Sequence, residues 1–296
     1  MRFVVGTAAL PPALHVPIAR AAEASGFDSV KVADSICYPE VSDSVYPYSP
    51  TGSREFLDGK PFLDPFVAMA AMGAATTSVR FLPSVLKLPM RHPVLVAKQT
   101  ASVAALTGDR VALGVGSSPW PEDYEVLGIP MARRGRRMDE AIAVVTGLLA
   151  GGYFEYHGEI FDIPSIKIDP VPARPVPILV GGHSEASLRR AARVGDGWIA
   201  ATSARDELPE LVGRLDRLRA EAGRDHLPFE IHIGVRHDEG VDVLRRLEDL
   251  GVTHAAVNFT YQYALESDER SLPERVAAIR RYGETVIQPT GGGPTR

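Results

Sequence analysis

Residues 176–201, VPILVGGHSEASLRRAARVGDGWIAA, set the reading of the fold. Val176–Val180 is a short apolar run of strand type, and Gly181-Gly182-His183 is a turn. Ser184 stands where a helix N-cap belongs, and the helix it opens runs to Val194. Gly195 ends that helix, and Gly197–Ala201 is again a strand. A strand, a helix and a strand this closely spaced form a βαβ unit, whose two strands run parallel with a right-handed crossover.

The same unit recurs in both directions along the chain. Upstream, strands are expected at Arg2–Gly6, Asp28–Ala33, Val79–Leu86 and Arg110–Val115. They alternate with helices at Ile18–Ala24, Asp64–Thr76, Pro93–Leu106 and Arg134–Leu149. Downstream, strands at Phe229–Val235 and Thr253–Phe259 alternate with helices at Leu208–Ala222, Gly240–Leu250 and Leu272–Tyr282. Eight βα units predict an α/β fold that closes as a single (β/α)8 TIM barrel over residues 1–286, with residues 287–296 as a flexible tail. Two insertions interrupt it. One, Ile36–Leu63, follows strand two and is rich in Tyr and Pro. The other, Tyr153–Pro172, follows strand four and reads as a hairpin turning at His157-Gly158.

Composition sets the outer limits. The chain has 296 residues, 45% of them hydrophobic, and a formal charge of −5. An acidic balance argues against a nucleic-acid partner. One cysteine, Cys37, rules out an internal disulfide framework and any CxxC site. No apolar run is long enough to span a bilayer and none resembles a signal peptide, so a cytoplasmic protein with no membrane partner is expected. There is no phosphate loop of the GxxxxGK[ST] type, no HExxH pair, no GxSxG elbow and no GxGxxG after the first strand. The histidines show no i,i+4 pair, so no metal site is expected.

The site of such a barrel lies at the C-terminal ends of its strands. Those ends carry Asp34-Ser35, Ser84-Val85, Gly114-Val115-Gly116-Ser117-Ser118, Gly181-Gly182-His183-Ser184, Arg236 and Asn258. Glycines let a backbone approach a ligand closely, and a glycine turn leading into a helix N-terminus suits phosphate. Gly181–Glu185 fits that description and equally fits a plain tight turn. On residue chemistry alone the chain is a barrel enzyme with an anionic ligand and no stated reaction.

Several co-linear motifs resemble the bacterial luciferase-like flavin and deazaflavin oxidoreductases. Residues 28–34, DSVKVAD, are similar to that family's GFDSVWVADH segment, and GDRVALGVG at 108–116 to its GGRLILGVG. RRGRRMDE at 133–140, PILVGG at 177–182 and AARVGDGW at 191–198 have close family counterparts, as does LPSVLKLPMRHP at 82–93. YPYSPTG at 46–52 resembles an insertion of a coenzyme F420-dependent subgroup. The resemblance implies a barrel mouth that holds F420, or alternatively FMN, hydride transfer to or from a small organic substrate, and a homodimer. It also implies a cis peptide at Ser84–Val85.

Strand-end chemistry and the resemblance together mark Asp34, Ser84, Val85, Gly116, Ser117, Gly181, Gly182, His183, Ser184 and Arg236 as cofactor-binding, and Asp34, Ser35 and the nearby carboxylate Glu122 as catalytic candidates. Arg133 and Arg134 are further candidates for an acidic cofactor tail. The chain departs from the pattern at two places. Ser35 stands where the family often has His, and Pro119 where the deazaflavin sugar-phosphate dehydrogenases have Glu. A serine hydroxyl without a neighbouring base is a poor general base, so the sugar-phosphate mechanism is not carried over. An FMN-dependent two-component monooxygenase and a non-catalytic flavin-binding protein are the alternative readings.

Overall fold

The computed structural model describes residues 1–49, 51–201, 205–261 and 263–291. Its main sheet contains β1 (Arg2–Gly6), β2 (Ser29–Val32), β3 (Arg80–Pro83), β4 (Leu86–Lys87) and β5 (Leu113–Gly116). A two-stranded antiparallel hairpin, β6 (Phe154–His157) and β7 (Asp162–Ile166), stands apart from it. The sheet resumes with β8 (Ile178–Gly181), β9 (Gly197–Ile199), β10 (Glu230–Arg236) and β11 (His254–Asn258).

All pairings within the main sheet are parallel, in the order β3-β2-β1-β11-β10-β9-β8-β5-β4. A bridge between Phe81 and Val111 joins the two ends, so the nine strands occupy eight positions of a nearly closed barrel. The expected third strand is divided. The peptide Ser84–Val85 is cis, as the resemblance implied, and it separates β3 from β4.

Among the described residues, eight longer helices pack outside the barrel: α1 (His15–Ala24), α2 (Pro65–Gly73), α3 (Pro93–Thr107), α5 (Arg134–Leu149), α6 (Glu185–Val194), α7 (Leu208–Glu221), α8 (Val241–Asp249) and α9 (Leu272–Tyr282). A short α4 (Pro121–Glu125), not expected from the sequence, follows β5. Local chemistry sets their ends. Asp64 accepts hydrogen bonds from the amides of Phe66 and Val67, with Pro65 in the first turn of α2. Ser271 and Glu274 form a capping box on α9, and Gly108 ends α3 in the left-handed region. Residues 287–291, expected to belong to a flexible tail, instead continue the turns after α9, with Ile287 buried. The rest of that tail, 292–296, lies outside the described residues.

Two cores result. The larger lies between strands and helices. The smaller, inside the barrel, contains Val4, Leu82, Ala112, Leu179 and Ala256. That inner plug separates two polar layers. The lower one, at the N-terminal ends of the strands, contains Arg80, Glu230, His232 and His254. The upper layer opens into a cavity.

Candidate active site

A cavity of about 410 Å³ occupies the C-terminal mouth of the barrel. Its floor is built where side chains are missing. A Cβ on Gly116 would stand 2.6 Å from a methyl of Val85, and one on Gly181 would stand 2.7 Å from the other. Glycines at both positions therefore let Val85 sit at the centre of the mouth. Gly182, at φ +112°, turns the chain at the rim, and the buried indole of Trp198 donates to its carbonyl at 2.8 Å. The opposite part of the floor is made by Gly6, Lys31 and Asn258, at the ends of the adjacent strands β1, β2 and β11.

Charges beside the floor are held by partners. Asp34 accepts from both terminal nitrogens of Arg91 at 2.7 and 2.9 Å and from the Lys87 amide at 2.8 Å. Lys87 reaches the buried carboxylate of Asp123 at 2.5 Å, which also accepts from Ser118 Oγ at 2.6 Å. At the rim, Asp268 pairs with Arg270 and Arg275, each at 2.7 Å.

The walls are aromatic and come from the insertion 36–63 and the loop 259–271. Tyr46 stacks on Trp120 at 5.0 Å and meets Tyr48, Phe56 and Tyr263. The Arg54 guanidinium lies 4.1 Å from the Trp120 ring centre. Burial pushes the Tyr46 hydroxyl well above the usual phenol range and raises that of Tyr48. At neutral pH both therefore offer a proton as hydrogen-bond donors and neither serves as a base.

Of the residues singled out from the sequence, Asp34, Ser35, Ser84, Val85, Gly116, Ser117, Gly181 and Gly182 come together on this cavity. Four others stand elsewhere. Glu122 is turned toward the insertion, where it accepts from Ser42 and Ser44 and pairs with Arg54. Burial alone would raise its carboxyl, but these hydrogen bonds hold it below the ordinary value. His183 lies behind the rim, its Nε2 accepting the Ala201 amide at 2.8 Å. Ser184 caps α6. Arg236 is exposed and paired with Asp238, two residues on. None of the arginines of 133–137 lines the cavity. Arg133 and Arg136 pair with Glu159 of the hairpin, and Arg137 donates to the Pro89 carbonyl.

Sequence reasoning missed Lys31, Lys87, Arg91 and the wall from 259–271. The sequence signal for Lys31 was a lone cation inside the apolar strand SVKV. A separate group, Glu230, His232 and His254, brings one ligand atom from each residue within 4.8 Å of the others. Arg80 already holds both Glu230 oxygens there, at 2.7 and 2.8 Å, so that group serves as an ion-paired plug.

Comparison with known proteins fits this geometry. The family model described as luciferase-like monooxygenase matches residues 4–237. The chain belongs to the luciferase-like monooxygenase family. It is an oxidoreductase. An uncharacterised protein of Mycobacterium tuberculosis (strain ATCC 25618 / H37Rv) is 52% identical over 287 residues, 97% of this chain and 99% of that one. The F420-dependent glucose-6-phosphate dehydrogenase of Beutenbergia cavernae is 32% identical over 77% of this chain and 64% of its own length. Among solved structures, an F420-dependent secondary alcohol dehydrogenase in complex with an F420-acetone adduct superposes with a TM-score of 0.76. That match covers 96% of this chain and 98% of the other at 16% identity, and it establishes the shared barrel. Among the described residues, no helix of this family member is long and apolar enough to cross a membrane.

Proposed function

We propose that the protein is a coenzyme F420-dependent oxidoreductase that transfers a hydride between this deazaflavin and a small organic substrate. The observation that carries the reading is the cavity itself. A glycine-seated Val85 forms its floor and stacked aromatic rings form its walls, in a chain 32% identical to an F420-dependent dehydrogenase. The residues present fit a flat tricyclic group with an anionic tail. The volume lies within the range of ordinary ligand sites. Among the described residues, five cationic side chains and three carboxylates line it, although the chain as a whole is acidic.

When bound, the deazaflavin supplies the ring carbon that gives or takes hydride. The protein's own residues bind and orient. Val85 and the Gly181-Gly182 turn, which line the cavity, would hold the ring, and Asp34 is fixed by Arg91 beneath the rim. Tyr46, Trp120 and Phe56 exclude water. Neither Ser35 nor Pro119 provides a base, which argues against sugar-phosphate oxidation. The same reading makes the protein a cytoplasmic homodimer.

Fluorescence-quench titration with F420 and with FMN tests the proposal. Micromolar F420 binding that weakens with salt, and weaker FMN binding, are expected. Tight FMN binding without F420 binding would replace this reading with the monooxygenase one. Failure to bind either would remove it.

A further inference from the structure

Among the described residues, five cations line the mouth of the barrel, and four of them are spoken for. Lys87 is paired with Asp123, and Arg270 and Arg275 with Asp268. Lys60 donates to the Ala264 carbonyl and lies near Glu266. Lys31 is the fifth. Among the described residues no carboxylate or carbonyl is within hydrogen-bond reach of its ammonium. Its side chain enters from the β2 strand and crosses the end of β1. A Cβ on Gly6 would stand 2.9 Å from Lys31 Cε and 3.9 Å from Asn258 Oδ1. Gly6 is thus the residue that lets the lysine lie across the floor beside the Asn258 amide.

A charge withdrawn from water without a counter-charge is costly, and such groups concentrate at functional sites. Burial pushes this lysine down to about 8, so near neutral pH most of the population still carries the charge. The carboxylates lining the cavity do not compensate it. Asp34 is engaged by Arg91, Asp268 by two arginines, and Glu266 faces Lys60. An anionic ligand group over Gly6 is the counter-charge that this part of the cavity lacks.

We propose that Lys31 and Asn258 form a carboxylate-recognition subsite, so that the organic substrate carries a carboxylate over Gly6 and an apolar or aromatic body against Tyr46, Phe56 and Trp120. The ammonium supplies the charge and the Asn258 amide a hydrogen bond to the second oxygen. This inference rests on the reading of the cavity as the substrate site. It goes beyond that reading by giving the substrate class.

The test uses the cofactor-free full chain, with benzoate as the probe and benzamide as its neutral counterpart. Trp120 lines the cavity, so tryptophan fluorescence reports occupancy. Benzoate is expected to bind more tightly than benzamide. In Lys31→Gln, benzoate affinity should fall about tenfold or more, while benzamide affinity and the circular dichroism spectrum stay unchanged. Lys31→Met should behave alike. In Asn258→Ala the loss should be smaller and again confined to benzoate.

Three outcomes overturn the subsite: no benzoate binding by the wild type, equal benzoate affinity in wild type and Lys31→Gln, or a variant that loses F420 affinity while keeping benzoate. The last would assign Lys31 to the cofactor. Failure of the wild type to bind F420 removes the proposed function and leaves the benzoate result standing, so the two failures are distinguishable.

Discussion

Gly182 shows how one residue shapes the rim. Its φ of +112° is a region that side-chain-bearing residues rarely adopt, and a Cβ there would stand 2.9 Å from Ser187 Oγ. Gly182→Val should therefore cost about 1–3 kcal/mol of stability from backbone strain. It should also abolish cofactor binding, because the new methyls project at the cavity edge. Urea unfolding and the quench titration measure the two effects separately. Unchanged F420 affinity in a folded variant would show that the turn does not face the cofactor. Arg236 teaches the opposite lesson. The pleat of β10 places it on the His232 side, yet it is the strand's last residue, and Asp238 two positions on captures its guanidinium at the surface. At a strand end a local carboxylate overrides the alternation that a sequence pattern relies on.

At the scale of elements, the hairpin β6–β7 is anchored by one buried carboxylate. Glu140 of α5 accepts the amides of Glu159, Ile160 and Phe161 at 3.0 to 3.1 Å and pairs with Arg136. Burial would raise its carboxyl, but these donors hold it below the ordinary value. Glu140→Ala leaves three amides without an acceptor and should destabilise the protein by about 2–4 kcal/mol. Hydrogen exchange should show the loss concentrated in residues 154–166, with F420 affinity retained, since the hairpin does not line the cavity. Unaltered protection there would rule out this anchoring role. The hairpin and the eight βα units were legible in the sequence because their signals are local: Asp64-Pro65, Gly108, Ser271 with Glu274, and the His157-Gly158 turn. The site was legible only in part. Glycines and short polar residues at strand ends marked the floor. The pairs Asp34–Arg91 and Lys87–Asp123 join residues 57 and 36 positions apart, and no local pattern encodes them. The wall from 259–271 was hidden for the same reason. Its Tyr263 meets Tyr46 and Phe56 only once the barrel has closed.

At the scale of the whole molecule, barrel closure depends on the polar layer beneath the inner plug. Arg80 on β3 reaches across the barrel to Glu230 on β10, 150 residues away, and the imidazoles of His232 and His254 stack at 4.0 Å, nearly parallel. Desolvation lowers both imidazoles, His254 to about 2 with His232 as the next cause. Glu230 and Asp28 face the pair and favour protonation, while Arg80 opposes it. The unfolded chain binds protons on these histidines below the ordinary value of 6.5, whereas the folded barrel takes them up only at lower pH. Stability should therefore fall as pH drops through 6.5, by up to about 1.4 kcal/mol per pH unit for each histidine. Glu230 adds a further loss only in the carboxylate range, because its folded-state carboxyl is held far below the ordinary value: burial would raise it, but Arg80 and His232 dominate. The buried His15 and the half-buried His183 are lowered as well, and the exposed His157 is raised, so a bare pH profile mixes several groups. Comparing urea midpoints of wild type and His254→Gln from about pH 7.5 to about pH 5 isolates the layer. The variant should lose close to one proton's worth of slope, while its cofactor affinity is unchanged, since the inner plug separates this layer from the cavity. Parallel profiles for the two proteins would mean that His254 takes up its proton equally in the folded and unfolded states, and that the layer does not couple barrel closure to pH.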